Sequence, residues 1–279
     1  KIDALQVELN TKNKTLQNHN KTEVLHQSNS LINPPQHELD TLLKYYQNGQ
    51  YLDAEKLALS MTKQFPKHQF AWKVLGAVYQ QTNKISDAVY ANQRAVELDP
   101  NDCESYNNLS VNLNSLDRLE EAEANSKKAI LIKSDFAQGY YNLGLVQKKI
   151  GKLEEAEINY RQAIKFQPDL APAYTNLGNI LQQLGRLEDA VSSHCKAIEI
   201  NADYAEAHNN LGNTFQELGK LKEAEASYKQ SINLRPNFAE THNNLGIILQ
   251  QLSRLEEAEI SFRKAIEINP KFIEGYKNL

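Results

Sequence analysis

The sequence predicts an all-α fold of antiparallel helix pairs stacked as a tandem array. Three observations carry that prediction: landmark residues return every 34 positions, the segments between them place apolar residues at helical spacing, and no segment alternates as a strand would. Leu75, Leu109, Leu143, Leu177, Leu211 and Leu245 form one series, and Ala54, Ala88, Ala122, Ala156, Ala190, Ala224 and Ala258 a second. Pro66, Pro100, Pro168, Pro236 and Pro270 form a third, with Ser134 and Ala202 standing in at two turns.

Each unit reads as two helices. The first carries an apolar stripe such as Leu177, Ile180, Leu181 and Leu184. It ends at Gly49, Gly151, Gly185 or Gly219, where a left-handed cap residue is expected, with Asn83, Asp117 and Ser253 in the same slot. The second helix opens with acids, "LEEAE" at 119–123, 153–157 and 255–259, which complement the positive end of a helix dipole. A proline then ends it, because proline lacks the N–H that continues the ladder. Gly76, Gly144, Gly178, Gly212 and Gly246 on the first helix are expected to face the small alanines of the second and let the two approach closely.

Tyr174, Leu177, Gly178, Leu181, Ala190 and Ala197, with Pro168 ending the unit before, resemble the tetratricopeptide repeat family. The resemblance covers 35–279: seven full units starting at 35, 69, 103, 137, 171, 205 and 239, and a truncated eighth from 273. The first unit is degenerate, since Thr41 and Leu42 replace its leucine–glycine pair. The resemblance implies a right-handed superhelical solenoid stabilised by contacts between neighbouring units. It also implies a capping helix, so the natural chain is expected to continue beyond Leu279. Residues 1–34 are polar; 1–16 reads as a short helix and 17–33 as a linker.

Composition narrows the function. A net charge of −4 gives no electrostatic footprint for nucleic acid, and no apolar run approaches a membrane span. Cys103 and Cys195 make neither a disulfide framework nor a zinc pattern, which favours a reducing, cytoplasmic setting. No catalytic constellation, metal cluster or cofactor loop is present, so the chain is not expected to be an enzyme and needs no cofactor. His208 and His242 share a slot with Trp72, Tyr106, Tyr140 and Tyr174, and His194 shares one with Tyr160, Tyr228 and Phe262. Both slots read as packing positions for rings.

One column resists a packing explanation. The sixth position of successive units reads Asn108, Asn142, Asn176, Asn210, Asn244 and Asn278, although asparagine is a poor helix former. A retained amide implies a partner for its donor and its acceptor. One partner is a neighbouring helix. The other is a ligand, because the chain is most similar to the repeats of O-linked N-acetylglucosamine transferase-type proteins, whose asparagine ladder lines the concave groove and holds an extended peptide. Asn179 and Asn213 lie a turn away, with Gln182, Gln183, Gln216, Gln250 and Gln251 beyond, and Tyr141, Thr175, Asn209 and Asn243 would border the groove. Lys148 and Lys149 are the only clustered bases at these groove positions. A clamp for a C-terminal carboxylate is disfavoured, because Ala77 follows Lys73 by one turn and Glu104, Glu206 and Glu240 occupy a slot where a base is needed.

The leading expectation is a protein-interaction scaffold whose partner is an extended peptide segment, without nucleic acid or membrane insertion. A second is the substrate-recruiting region of a larger enzyme, such as a glycosyltransferase, other transferase or oxygenase, with its catalytic domain after residue 279. A third is a scaffold that self-assembles into homo-oligomers through its ends or residues 1–16.

Overall fold

The computed structural model describes residues 33–279, so the expected helix at 1–16 and nearly all of the linker at 17–33 lie outside the described residues. Among the described residues there is no strand, and fifteen helices follow one another. They are α1 (Gln36–Gln47), α2 (Tyr51–Gln64), α3 (Gln69–Gln81), α4 (Ile85–Leu98), α5 (Cys103–Ser115) and α6 (Leu119–Ile132). There follow α7 (Ala137–Ile150), α8 (Leu153–Phe166), α9 (Ala171–Gln183), α10 (Leu187–Ile200) and α11 (Ala205–Glu217). The last are α12 (Leu221–Leu234), α13 (Ala239–Gln251), α14 (Leu255–Ile268) and α15 (Ile273–Asn278). Two compact units are formed, the first ending at Asp135 and the second running from Phe136 to Leu279. Inside each, every odd-numbered helix packs on the even-numbered helix that follows, which in turn packs on the next odd-numbered helix.

The turn within each pair is local chemistry. Gly49, Gly151, Gly185 and Gly219 have φ of 72°, 91°, 73° and 70°, and Asn83, Asp117 and Ser253 adopt 59°, 60° and 60°. The next residue's N–H then returns to a carbonyl of the last turn, as in Arg186 N to Leu181 O at 2.8 Å and Arg254 N to Leu249 O at 2.9 Å. That bond satisfies a carbonyl the helix would otherwise leave open and reverses the chain.

The close approach expected at Gly76, Gly144, Gly178, Gly212 and Gly246 is present, but its partner is not alanine. A Cβ at Gly144, Gly212 or Gly246 would lie 2.7, 2.6 or 2.5 Å from the rings of Tyr160, Tyr228 or Phe262, and one at Gly178 would lie 2.5 Å from the His194 ring. At Gly76 the obstructing group is the Asn92 amide. A missing methyl on one helix thus accommodates a large, fully buried side chain on the other. The pairing is reciprocal along the chain. Where Ser110 replaces glycine, Ser126 replaces the ring and the two hydroxyls lie 2.6 Å apart. In the first pair Leu42 takes the glycine slot and Ala58 the ring slot, both fully buried. The alanines instead join clusters with the leucines, as Ala156 and Ala190 do with Leu177 and Leu181.

The other ring slot serves the loop. Trp72 Nε1 donates to the Pro66 carbonyl at 3.2 Å, and His208 and His242 place Nε2 3.2 and 2.9 Å from the carbonyls of Ala202 and Pro236. Each ring reaches six residues back and ties the turn between units to the helix that follows.

Side chains also join successive units. Arg186 pairs with Glu157 and Arg254 with Glu225 across second helices, as Lys84 does with Glu55. Arg186 and Arg254 also engage Asp189 and Glu257 in the first turn of their own helices. On α3, Lys73 is almost wholly buried and bonds Asp102 at 3.1 Å at the end of its own unit and Glu104 at 2.9 Å in the next. Burial acts against the Asp102 carboxylate, but Lys73 and the bonds from Ser105 and Gln69 outweigh it and lower its pKa.

Three outcomes follow from this packing. Gly212→Ser and Tyr228→Ser should each destabilise the protein by about 2 kcal/mol or more, through overpacking and a cavity respectively. Combined, they recreate the Ser110–Ser126 pair, so a double-mutant cycle by urea unfolding should give a favourable coupling above about 1 kcal/mol. Burial pushes the His194 imidazole down to about 4 from its usual value near 6.5, and neither ring nitrogen has a hydrogen-bond partner among the described residues. The unfolded chain therefore binds the extra proton first, and stability should fall as pH drops from about 6.5 to 4. His194→Phe, which copies Phe262, should recover about 2–3 kcal/mol at pH 4.5 relative to pH 7 in paired melts. Lys73→Met leaves Asp102 buried without its cation and should cost about 3 kcal/mol or more in urea unfolding.

Candidate interaction face

Two adjacent columns on the first helices behave differently, because consecutive helical residues point about 100° apart. The fifth position of each unit is turned inward: Asn107, Thr175, Asn209 and Asn243 are buried. The sixth is half-exposed at Asn108, Asn176, Asn210 and Asn244, while Asn142 is buried. Thr175, Asn209 and Asn243 therefore do not border a groove as their spacing suggested. They lie between neighbouring helices, where polar side chains need internal partners. Tyr141 is half-buried, and Asn179 and Asn213 are half-exposed.

The ladder amides reach back to this inner column. Asn176 Nδ2 donates to Tyr141 Oη at 3.2 Å, Asn244 Nδ2 to Asn209 Oδ1 at 3.4 Å, and Asn278 Nδ2 to Asn243 Oδ1 at 2.8 Å. The partner is each time 35 residues earlier, so one amide spans two units. Asn244 Nδ2 also donates to Asn213 Oδ1 at 3.1 Å, which accepts from the Tyr228 hydroxyl at 2.7 Å. Thr241 Oγ1 donates to Asn209 Oδ1 at 3.0 Å. Burial raises the Tyr141 phenol above its usual pKa, so it stays neutral and able to accept from Asn176. Gln138 Nε2 donates to Asn142 Oδ1 at 3.2 Å.

Internal bonds engage the donor half of the Asn176 and Asn244 amides. Their Oδ1 atoms accept nothing among the described residues. Asn210 differs. Its would-be partner 35 residues back is Thr175, whose hydroxyl donates to the Ala171 carbonyl at 3.3 Å. Asn210 touches only the Asn209 amide, at 3.5 Å, and its Nδ2 is unengaged among the described residues. It lines a polar pocket of about 290 Å³ with Lys148, Asn179, Gln182, Gln183 and Glu217, drawn from α7, α9 and α11. Asn108 sits on α5 in the first compact unit.

Sequence reasoning missed the inner column's role and the Lys73 network. A signal was present: Lys73, Asn107, Tyr141, Thr175, Asn209 and Asn243 are all polar beside a column of amides. Among the described residues no group of three or more His, Cys, Asp or Glu side chains could hold a metal ion, and no helix is long and apolar enough to cross a membrane.

Comparison with known proteins agrees with this architecture. Models of the tetratricopeptide repeat match residues 39–102, 103–133, 169–237 and 239–272, and a further repeat model of the same kind matches 148–185. No curated protein sequence matches the chain significantly. Among solved structures the chain is similar to YrrB, a tetratricopeptide protein with an unusual peptide-binding site. The two share 26% identity over 68% of this chain and 97% of that one, with a TM-score of 0.55. Cut9, in the Cut9–Hcn1 hetero-tetramer, matches 99% of this chain with a TM-score of 0.72 at 16% identity, and the chain spans about half, 52%, of that protein. PilF of Pseudomonas aeruginosa matches 75% of this chain and 95% of its own at 18% identity and a TM-score of 0.67. The last two likenesses speak for the fold alone. With repeat models tiling most of the chain, it belongs to the tetratricopeptide repeat family.

Proposed function

We propose that this chain is a protein-interaction scaffold that binds an extended peptide segment along its first helices, with the asparagine column contacting the main chain. The observation that carries the reading is the division of labour within the amides. Asn176 and Asn244 spend their Nδ2 on the preceding unit, and their Oδ1 atoms accept nothing among the described residues. An oxygen held in place by its own amide's internal bond is an acceptor for a peptide N–H, and little of its rotamer entropy remains to be lost on binding. Asn210 keeps its donor available as well.

A neutral, amide-lined face suits a peptide main chain better than nucleic acid, whose phosphates require several cations. The similarity to YrrB, itself a peptide-binding repeat protein, supports the same class of ligand. The resemblance that the asparagine column suggests to repeats of O-linked N-acetylglucosamine transferase-type proteins belongs to this proposal too, since an asparagine ladder is that group's peptide contact.

The test is an immobilised library of acetylated, amidated peptides, with binders then measured by fluorescence anisotropy. Asn210→Ala should leave the melting curve unchanged and weaken binding about three- to tenfold, the range of one or two hydrogen bonds. Asn244→Ala should lower both stability and affinity, because it also breaks the link to Asn209. Unaltered binding by the Asn176→Ala, Asn210→Ala and Asn244→Ala triple variant would remove the ladder from the mechanism.

A further inference from the structure

Within the second compact unit, the pocket beside Asn210 has a feature the ladder does not explain. Lys148, near the end of α7, is half-buried and has no ion-pair or hydrogen-bond partner among the described residues. It is also the only cation lining the pocket. Most cations on the second helices are paired, as Lys196 is with Glu199 and Arg254 with Glu225 and Glu257. Burial alone lowers the Lys148 pKa, the mark of an ammonium that has lost water without gaining a counter-ion.

The rest of the pocket is organised around that charge. Gln182 is held at both ends: its Nε2 donates to Glu217 Oε1 at 2.6 Å, and its Oε1 accepts from Thr214 Oγ1 at 3.2 Å. Glu217 is thereby engaged by an amide, whereas Asn179, Gln183 and the Asn210 Nδ2 make no bond among the described residues. Lys148 and Glu217 come from α7 and α11, with the α9 amides between them. The pocket is thus polarised, with an unmatched cation from one unit and an acid from the second unit along.

We infer that this pocket selects an acidic side chain, Asp or Glu, in the bound peptide, its carboxylate on Lys148 and the adjoining main chain on Asn179 and Asn210. The inference rests on the peptide-binding reading above and gives it a side-chain preference. A side-chain carboxylate fits better than a terminal one. The pocket supplies a single cation, and the amide column runs on past it to Asn244, so a segment lying there has no cause to end. Glu217 disfavours a second acid placed toward α11, where like charges would meet.

The experiment uses peptides that bind the unmodified chain, each remade in four forms: Glu or Gln at the candidate position, with the C-terminus amidated or free. The amidated Glu form should bind about tenfold tighter than its Gln counterpart. Lys148→Gln should abolish that difference, Lys148→Arg should keep it, and melting should be unchanged because the Lys148 ammonium bonds nothing among the described residues. Glu217→Gln should improve binding of peptides carrying two acids. Equal losses for Glu and Gln peptides in Lys148→Gln would overturn the inference while leaving main-chain binding intact. So would a preference that follows the free C-terminus. Absence of any binding peptide would overturn the underlying reading as well.

Discussion

The structure depends on one contact, the large side chain of a second helix laid against a bare Cα of the first. Tyr160, Tyr228, Phe262 and His194 each lie where a methyl group would lie on Gly144, Gly212, Gly246 and Gly178. Removing a methyl from one helix lets a ring fill the space at near van der Waals distance. A fully buried ring contributes about 2 kcal/mol or more from area alone. The reciprocal exchanges at Leu42–Ala58 and Ser110–Ser126 show that a larger residue on the first helix goes with a smaller one on the second. Once that contact fixes two helices as a rigid pair, the pair can be repeated.

Contacts between pairs add to the apolar clusters, such as Tyr160 with Leu177 and Leu181, a second kind that is polar and individually modest. Exposed ion pairs contribute about 0–1 kcal/mol each, and a neutral hydrogen bond about 1 kcal/mol. Their value lies in register: Asn176 to Tyr141, Asn244 to Asn209 and Asn278 to Asn243 all span 35 residues. Apolar packing alone would tolerate sliding, whereas buried amides must meet their partners or lose the bond. Lys73 with Asp102 and Glu104 does the same with charge. A buried polar pair of this sort is demanding rather than strongly stabilising, which suits a part whose task is alignment.

The period, the helix pairs and all seven left-handed turn residues could be read from the sequence, because each rests on chemistry confined to a few neighbouring residues. The asparagine column was legible for the same reason: an unfavourable residue kept at one helical position requires a cause. The partner of each glycine was not, since alanine and ring both recur every 34 residues and the period cannot say which of them faces the glycine. Nor was the inward turn of Thr175, Asn209 and Asn243. One step along a helix moves a side chain from the solvent side to the interface, and a run of short polar residues does not reveal which of two neighbours is buried. The Lys148–Glu217 polarity brings together residues 69 positions apart, which only the stacking of three units accomplishes.

The internal tie of the ladder amide and its proposed contact with a peptide constrain one another. If the Nδ2 group were free, the amide could flip and present either end, and a bound chain would have no fixed direction of hydrogen bonding. Tying Nδ2 to the preceding unit fixes which end of the Asn176 and Asn244 amides is left to accept. A face built only this way would accept any extended segment of matching rise, because peptide N–H groups are common to all sequences. Selectivity must then enter where the column is interrupted. Thr175 is that interruption, leaving Asn210 untied beside the one unmatched lysine of the pocket. On the proposed reading the tied amides supply a track, and the pocket beside Asn210 supplies the means to choose what lies on it.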